Sequence, residues 1–190
     1  MKLVCVNGSG RTAKKYGLQV PLLTILSGYI LNQTDKPAIV ATRSALRGLV
    51  TEKLLVIERG AKNLDIESEL SRLELNYDTL DTISHKQRAD LLLSVTGIDC
   101  GRGAGVKKVS NGVFALCYLL AQQAQEVVIA GMSLDQAGGY SYRDGEFPRN
   151  HITPDRQILQ HLRAQGAPFS STEPEFISNL DGGNVCSEHR

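Results

Sequence analysis

Lys108-Val-Ser-Asn-Gly-Val-Phe-Ala-Leu-Cys-Tyr-Leu-Leu-Ala121, followed after four intervening residues by Glu126-Val-Val-Ile-Ala-Gly-Met-Ser-Leu134, is the stretch on which the reading of the fold turns. A polar turn (Ser110, Asn111, Gly112) opens an apolar helix running from Gly112 to about Gln125. The helix leads directly into a short apolar run, Val127 to Ala130, which reads as a buried strand ending at Gly131. A helix N-terminus carries unsatisfied backbone N–H groups and partial positive charge, so it attracts phosphate or carboxylate. In an open α/β sheet, ligands sit outside the carboxyl ends of the strands. Both features point a ligand at the same place.

Working outward, Met1 to Val6 is a first apolar run, interrupted by Asn7-Gly8-Ser9-Gly10, and reads as a buried parallel strand. Leu22 to Ser27, Ala38 to Thr42 and Leu54 to Ile57 read as further strands. Residues 62 to 75 have apolar positions at near-helical spacing, and residues 85 to 95 read as a helix ending near Gly97. Residues 135 to 150 form a polar, glycine-containing loop of the length expected of a lid or binding loop. Thr153-Pro154 then reads as an N-cap followed by proline at the first helical position. Ile158, Leu159 and Leu162 supply that helix's apolar stripe, and Gly166 ends it. Strands alternating with helices predict an α/β protein. The expected architecture is one Rossmann-like domain over residues 1–180, with a mostly parallel sheet flanked by helices, a lid before the C-terminal helix, and a flexible tail over 181–190.

The whole-chain numbers agree with a soluble globular domain. The chain has 190 residues, 42% hydrophobic and 22% charged, and a formal net charge of +1. That balance leaves no electrostatic footprint for nucleic acid. Cys5, Cys100, Cys117 and Cys186 lack metal-ligand spacing, and Cys5 and Cys117 sit in apolar runs as small core residues. Such cysteine usage fits a reducing compartment. No run reaches the roughly 18 apolar residues of a membrane span, and the opening apolar run is too short for a signal peptide. The expected location is therefore cytoplasmic.

Several residue groups could carry chemistry. Gly8-Ser9-Gly10-Arg11-Thr12 follows the first strand, where glycines let a backbone approach a phosphate; an ordinary tight strand-to-helix turn would look the same. The motif lacks the third glycine of the dinucleotide fingerprint and the lysine of a P-loop. Gly101-Arg-Gly-Ala-Gly105 with Lys107 and Lys108 combines backbone freedom with cations, as an anion site or a solvated loop would. His151 follows the polar loop, and a histidine can exchange a proton with an attacking or leaving oxygen near neutral pH. Tyr140 and Tyr142 lie in that loop, where a phenol could hold a phosphate oxygen or simply lie at the surface. No metal-ligand pattern and no Ser-His-Asp context is present.

In their order, these motifs resemble the bacterial sialyltransferases typified by the Campylobacter enzymes. There a first strand ends in Gly-Asn-Gly-Pro-Ser, where this chain has Gly8-Ser9-Gly10-Arg11-Thr12. The family's Arg-Ile-Thr-Ser-Gly-Val before a helix is matched by Lys108-Val109-Ser110-Asn111-Gly112-Val113, and its Ser-Gly-Ile-Asp-Phe at a strand end by Ala130-Gly131-Met132-Ser133-Leu134. Its polar loop with Asn-Gly-Ser-Ser-Tyr corresponds to Ala137-Gly138-Gly139-Tyr140-Ser141-Tyr142. Its catalytic histidine, in Gly-His-Ser-Lys-Asn-Thr-Asp, corresponds to His151 in Asn150-His151-Ile-Thr-Pro-Asp155. The similarity covers residues 2 to 12 and 108 to 165 best. Ser9 and Asn111 replace the family's Asn and Ser, Lys108 replaces an Arg, and Ser133 stands where Asp is usual. A weaker match over Ala38 to Leu46 would place Thr42 and Arg43 near the donor.

The resemblance implies an inverting glycosyltransferase that moves an acidic sugar of the sialic acid or Kdo type from a CMP donor to a hydroxyl of a glycan or lipid-glycan acceptor. His151 would be the general base, and Tyr140 or Tyr142 would stabilise the departing phosphate. Gly8, Ser9, Gly10, Thr12, Thr42, Lys108, Ser110, Asn111, Gly112, Gly131, Met132 and Ser133 would bind the nucleotide sugar. It implies no cofactor and no obligatory metal, and it leaves room for peripheral membrane association and for a homo-oligomer. Two other classes share parts of this pattern: a pterin diphosphokinase-like pyrophosphoryl transferase, which would need Mg²⁺, ATP and carboxylates such as Asp99 or Asp135 near the glycine turn, and a non-catalytic nucleotide-binding domain.

Overall fold

The computed structural model describes residues 1–32, 35–58, 65–100, 108–134 and 151–181. The protein is α/β, with a four-stranded, all-parallel sheet flanked by helices. The described residues fall into two compact units, the first within Met1–Asp90 and the second within Leu91–Gln136 and Pro148–Arg190. The expected lid, including Tyr140 and Tyr142, and the tail from 182 lie outside the described residues, as does the Gly101–Gly105 segment.

In the first unit, β1 (Val4–Val6) passes through a 3-10 turn at Asn7–Ser9 into α1 (Gly10–Lys15). Then come β2 (Leu23–Ser27), α2 (Tyr29–Asn32), α3 (Pro37–Leu46), β3 (Val50–Ile57), α4 (Ile66–Arg72), β4 (Asn76–Ile83) and the start of α5 (His85–Thr96). The strand order is β1-β2-β3-β4. When every crossover is right-handed, a sheet that grows in one direction receives its connecting helices on one face. The core agrees with that geometry. Leu26 pairs in register with Val56, and Thr24 with Leu54. Leu26, Leu54 and Val56 share a buried cluster with Ile30 and Leu31 of α2, Ile39 and Leu46 of α3, Leu70 of α4 and Leu73 after it. The alternate residues Ile25, Leu55 and Ile57 are buried too. Burial on both faces explains why β2 and the second half of β3 read as continuous apolar runs.

Two expectations need correction here. Ala38 to Thr42 is not a strand but the first half of α3. Pro37 stands at the first helical position, where its missing N–H costs nothing. Ile39, Thr42 and Leu46 then fall on one buried face at helical spacing while Val40 is exposed. The second correction is an addition: β4 was not expected, because Asn76-Tyr-Asp-Thr-Leu-Asp-Thr-Ile83 is mostly polar. Among the described residues it is an edge strand, and an edge strand needs fewer apolar side chains.

Cys5 and Cys117 are buried, as expected of small core residues, and Cys100 is buried with them. Burial pushes the Cys5 thiol above its ordinary pKa, against a smaller opposing hydrogen bond with Ser9. The thiol therefore ionises at a higher pH than a free cysteine does. Cys5 should resist iodoacetamide at mildly alkaline pH in the folded protein and label readily in urea; rapid labelling of the native state, read by peptide mass spectrometry, would contradict this assignment.

In the second unit, α6 (Asn111–Ala121) leads to β5 (Val127–Ile129), and α7 (Ile152–Ala164) leads to β6 (Phe169–Ser171). The two strands pair in parallel, Val127 with Phe169 and Ile129 with Ser171. The chain then enters α8 (Pro174–Asp181). Val113 through Cys117 of α6 are buried, and so are Ile158, Leu159 and Leu162 of α7. β5 is less buried than its apolar sequence suggested, since Val128 is exposed. Gly166, in the left-handed region at φ 72°, follows the end of α7 as expected. Among the described residues, no helix is long and apolar enough to cross a membrane.

Candidate functional site

The expected site residues divide between the two units. In the first, the turn after β1 directs its polar groups inward. Asn7, in the left-handed region at φ 50°, accepts a hydrogen bond through Oδ1 from the Ser27 amide at 3.1 Å, which ties the ends of β1 and β2 together. Ser9 Oγ accepts from the Val6 amide at 2.9 Å. Gly8 and Gly10 are buried and Thr12 is half-buried on α1. A Cβ added to Gly10 would come within 3.0 Å of Leu49 Cδ1. Packing against the core is thus a sufficient reason for that glycine.

Thr42 corrects a further expectation. It does not stand at a strand end. It is buried in the middle of α3, and its hydroxyl donates to the Ala38 carbonyl at 2.8 Å. Its neighbour Arg43 donates to the carbonyls of Ile30 and Leu31 and pairs with Glu69 at 3.2 Å, linking α2, α3 and α4. Both residues serve the helical layer, because a helical backbone carries position 42 into the core.

In the second unit the sequence motifs converge. Ser110 is the N-cap of α6: its Oγ accepts from the Val113 amide at 3.2 Å. The Ser110 amide in turn donates to Asp155 Oδ1 at 2.7 Å. Asp155 is 1% exposed, so a buried carboxylate from the first turn of α7 serves the opening of α6. The helix N-terminus that invites an external anion already holds an internal one. Two residues earlier in α6's approach, the Lys108 carbonyl lies 2.7 Å from His151 Nδ1. A carbonyl only accepts, so Nδ1 carries the proton, and Nε2 is the basic nitrogen of the neutral ring.

The start of α7 is itself a correction. His151, not Thr153, is the N-cap, and the Asp155 amide closes the first turn on the His151 carbonyl at 2.9 Å. Thr153 and Pro154 lie inside the first turn. There the backbone N–H groups have no intrahelical acceptor, so proline forfeits no hydrogen bond. The histidine is thereby fixed at both ends, by its ring nitrogen and by its own carbonyl.

The segment leaving β5 completes the region. Gly131 adopts φ 68°, a conformation glycine takes without strain, and its amide donates to Glu173 Oε1 at 3.2 Å. Met132 lies against the first turn of α6: a Cβ on Gly112 would approach its sulfur to 3.3 Å. Arg156 donates to the Leu134 carbonyl at 3.4 Å, joining α7 to the same segment. Gly131, Met132, Ser133 and Leu134 line a recess of ≈ 230 Å³ together with Glu173, Glu175 and Phe176. Lys108, Ser110, Gly112, Met132, Ser133 and His151 are thus drawn into one region at the carboxyl end of β5, with Asn111 on the first turn of α6 between them. Among the described residues, no three His, Cys, Asp or Glu side chains gather as a metal site.

The motif reading missed Asp155, Glu173 and Glu175 as members of this region. Asp155 looked like an ordinary acidic residue in a helix's first turn, a surface feature in most helices. Its partner, the Ser110 amide, is 45 residues away in sequence. Glu173 and Glu175 flank Pro174 beyond the stretch that carried the motifs, and only the parallel pairing of β6 with β5 brings them to Gly131. Compared with protein-family models, with curated proteins and with solved structures, the chain matches none.

Proposed function

We propose that this protein is an inverting glycosyltransferase that uses a CMP-activated acidic sugar, of the sialic acid or Kdo type, and transfers it to a hydroxyl of a glycan or lipid-glycan acceptor. The motif order supplies the reaction class. The observation that carries the proposal is the hydrogen bond between His151 Nδ1 and the Lys108 carbonyl, because it presents Nε2 as a base next to the opening of α6. In this reading Nε2 takes the proton of the acceptor hydroxyl. The hydroxyl oxygen attacks the anomeric carbon, and the bond from that carbon to the phosphate oxygen breaks with its electron pair going to CMP. Asn111, Gly112 and the Gly131–Ser133 segment would hold the donor, with the Ser110 amide committed to Asp155. Tyr140 and Tyr142 remain the proposed partners of the leaving phosphate. Such a reaction draws on positioning and charge stabilisation.

The direct test is release of CMP from CMP-sialic acid and CMP-Kdo in the presence of a panel of glycan acceptors. Binding gives an independent prediction. At about 100 times its dissociation constant, a ligand specific for the native state adds about 2.7 kcal/mol. For a chain of this size that raises the Tm by roughly 5–10 °C. CMP should produce this shift, and ADP and NAD should not. A shift with ADP and Mg²⁺ but none with CMP would replace the transferase by a diphosphokinase-like enzyme. A CMP shift with no turnover of either donor would leave a nucleotide-binding domain.

A further inference from the structure

The amino-terminal edge of the four-stranded sheet gathers apolar side chains that the core does not use. Tyr16 is 71% exposed, Leu18 52%, Val20 50% and Val50 50%, and Met1 is fully exposed. They come from separate segments, yet the backbone brings these together. Gly17, at φ 66°, turns the chain out of α1, and the Leu18 amide bonds back to the Ala13 carbonyl. Gln19 Nε2 donates to the Met1 carbonyl at 2.8 Å, and the Leu22 amide to the Leu3 carbonyl. The Glu52 amide donates to the Pro21 carbonyl, which sets the start of β3 beside the same loop.

Exposed cations border these residues. Lys14 and Lys15 end α1, Lys2 precedes β1, and Arg47 follows α3. In a parallel α/β layer the connecting helices run back against the strands, so their C-terminal residues collect at this edge. The acidic groups there are Glu52, Asp78 beside it in the strand register, and Glu74, against four basic side chains, so the balance is basic. Lysines with apolar stems beside an exposed tyrosine and the aliphatic Leu18, Val20 and Val50 match the water–lipid boundary, where the stems lie along hydrocarbon and the ammonium groups reach headgroup phosphates. A second copy of the chain is a poorer occupant, since an isologous contact would set these lysines against their own images.

We infer that this edge is a docking surface for an anionic lipid bilayer. The inference does not depend on the transferase reading, and its test needs no substrate. The full chain should sediment with phosphatidylcholine vesicles that contain phosphatidylserine, and not with phosphatidylcholine alone, and binding should fall with added salt. Lys14→Gln with Lys15→Gln should weaken partitioning about 30-fold. Leu18→Ser with Val20→Ser should weaken it on both sides of the salt range. All four positions are exposed, and circular dichroism checks that both variants fold. Equal binding to the two vesicle types, no binding to either, or variants that bind like the unchanged protein would overturn the inference. So would light scattering that shows a dimer which both variants convert to monomer, because the edge would then be a contact between copies.

Discussion

Replacing His151 by alanine should lower turnover of the CMP-activated sugar by about 10²- to 10⁴-fold, the range typical for loss of a general base, while CMP binding stays close to that of the unchanged protein. The split follows from where the ring is held. Nδ1 donates to the Lys108 carbonyl at 2.7 Å, which fixes the tautomer and aims the basic Nε2 away from that bond. An alanine removes the proposed base without removing a group proposed to hold the donor, so an interaction made only during the proposed transfer would be lost. The N-cap backbone is retained, and the bond from the Asp155 amide to the residue 151 carbonyl does not depend on the side chain. Steady-state turnover, CMP titration calorimetry and circular dichroism decide the matter together. A folded His151→Ala protein with near-unchanged turnover would remove His151 from the reaction and with it the proposed transfer mechanism.

The second large effect is on stability. Asp155→Ala should lower the Tm by roughly 3–12 °C, since a hydrogen bond to a charged group contributes about 1.5–3 kcal/mol and a domain of this size shifts about 2–4 °C per kcal/mol. The carboxylate is 1% exposed and accepts the Ser110 amide at 2.7 Å, so truncation removes that acceptor from the opening of α6. It also removes a negative charge from the N-terminal end of α6. Asp155→Asn keeps an acceptor oxygen without the charge and should cost less than the alanine. Thermal unfolding of the three proteins side by side checks the order. Equal melting temperatures for alanine, asparagine and the unchanged protein would mean that the Asp155 bond contributes nothing to the join between α6 and α7.

Where burial is two-sided and local, the chain's own pattern was enough to read. β1, β2 and the second half of β3 were recognisable from apolar runs, and α5, α6 and the body of α7 from their spacing and the glycines beyond α5 and α7. Ala38-Ile-Val-Ala-Thr42 misled because a short apolar run is compatible with either a strand or a helix, and Pro37, the residue that decides between them, lies just outside it. β4 was silent because its edge position frees it from the apolar pattern of the strands within the sheet. At the candidate site, Ser110 as N-cap and Gly131 as a turn were legible, since a cap and a positive φ are local requirements. The pairings of Asp155 with Ser110, His151 with Lys108 and Glu173 with Gly131 were not, because each joins segments more than 40 residues apart.

The strand order of the first unit bears on how the chain is made. Because β1, β2, β3 and β4 lie side by side in the order in which they are synthesised, each new strand finds its partner already present when it leaves the ribosome. A parallel sheet normally has to close distant loops before its contacts repay the entropy. Here every closure spans a single crossover, so the sheet can lengthen one strand–helix unit at a time. Until the next strand arrives, the growing edge is open, and among the described residues that position falls to β4, whose Asp78, Asp81 and other polar side chains make it a poor template for a foreign strand. The polar sequence that hid this strand from a hydrophobic reading is also what makes its open side a poor place for a foreign strand to add.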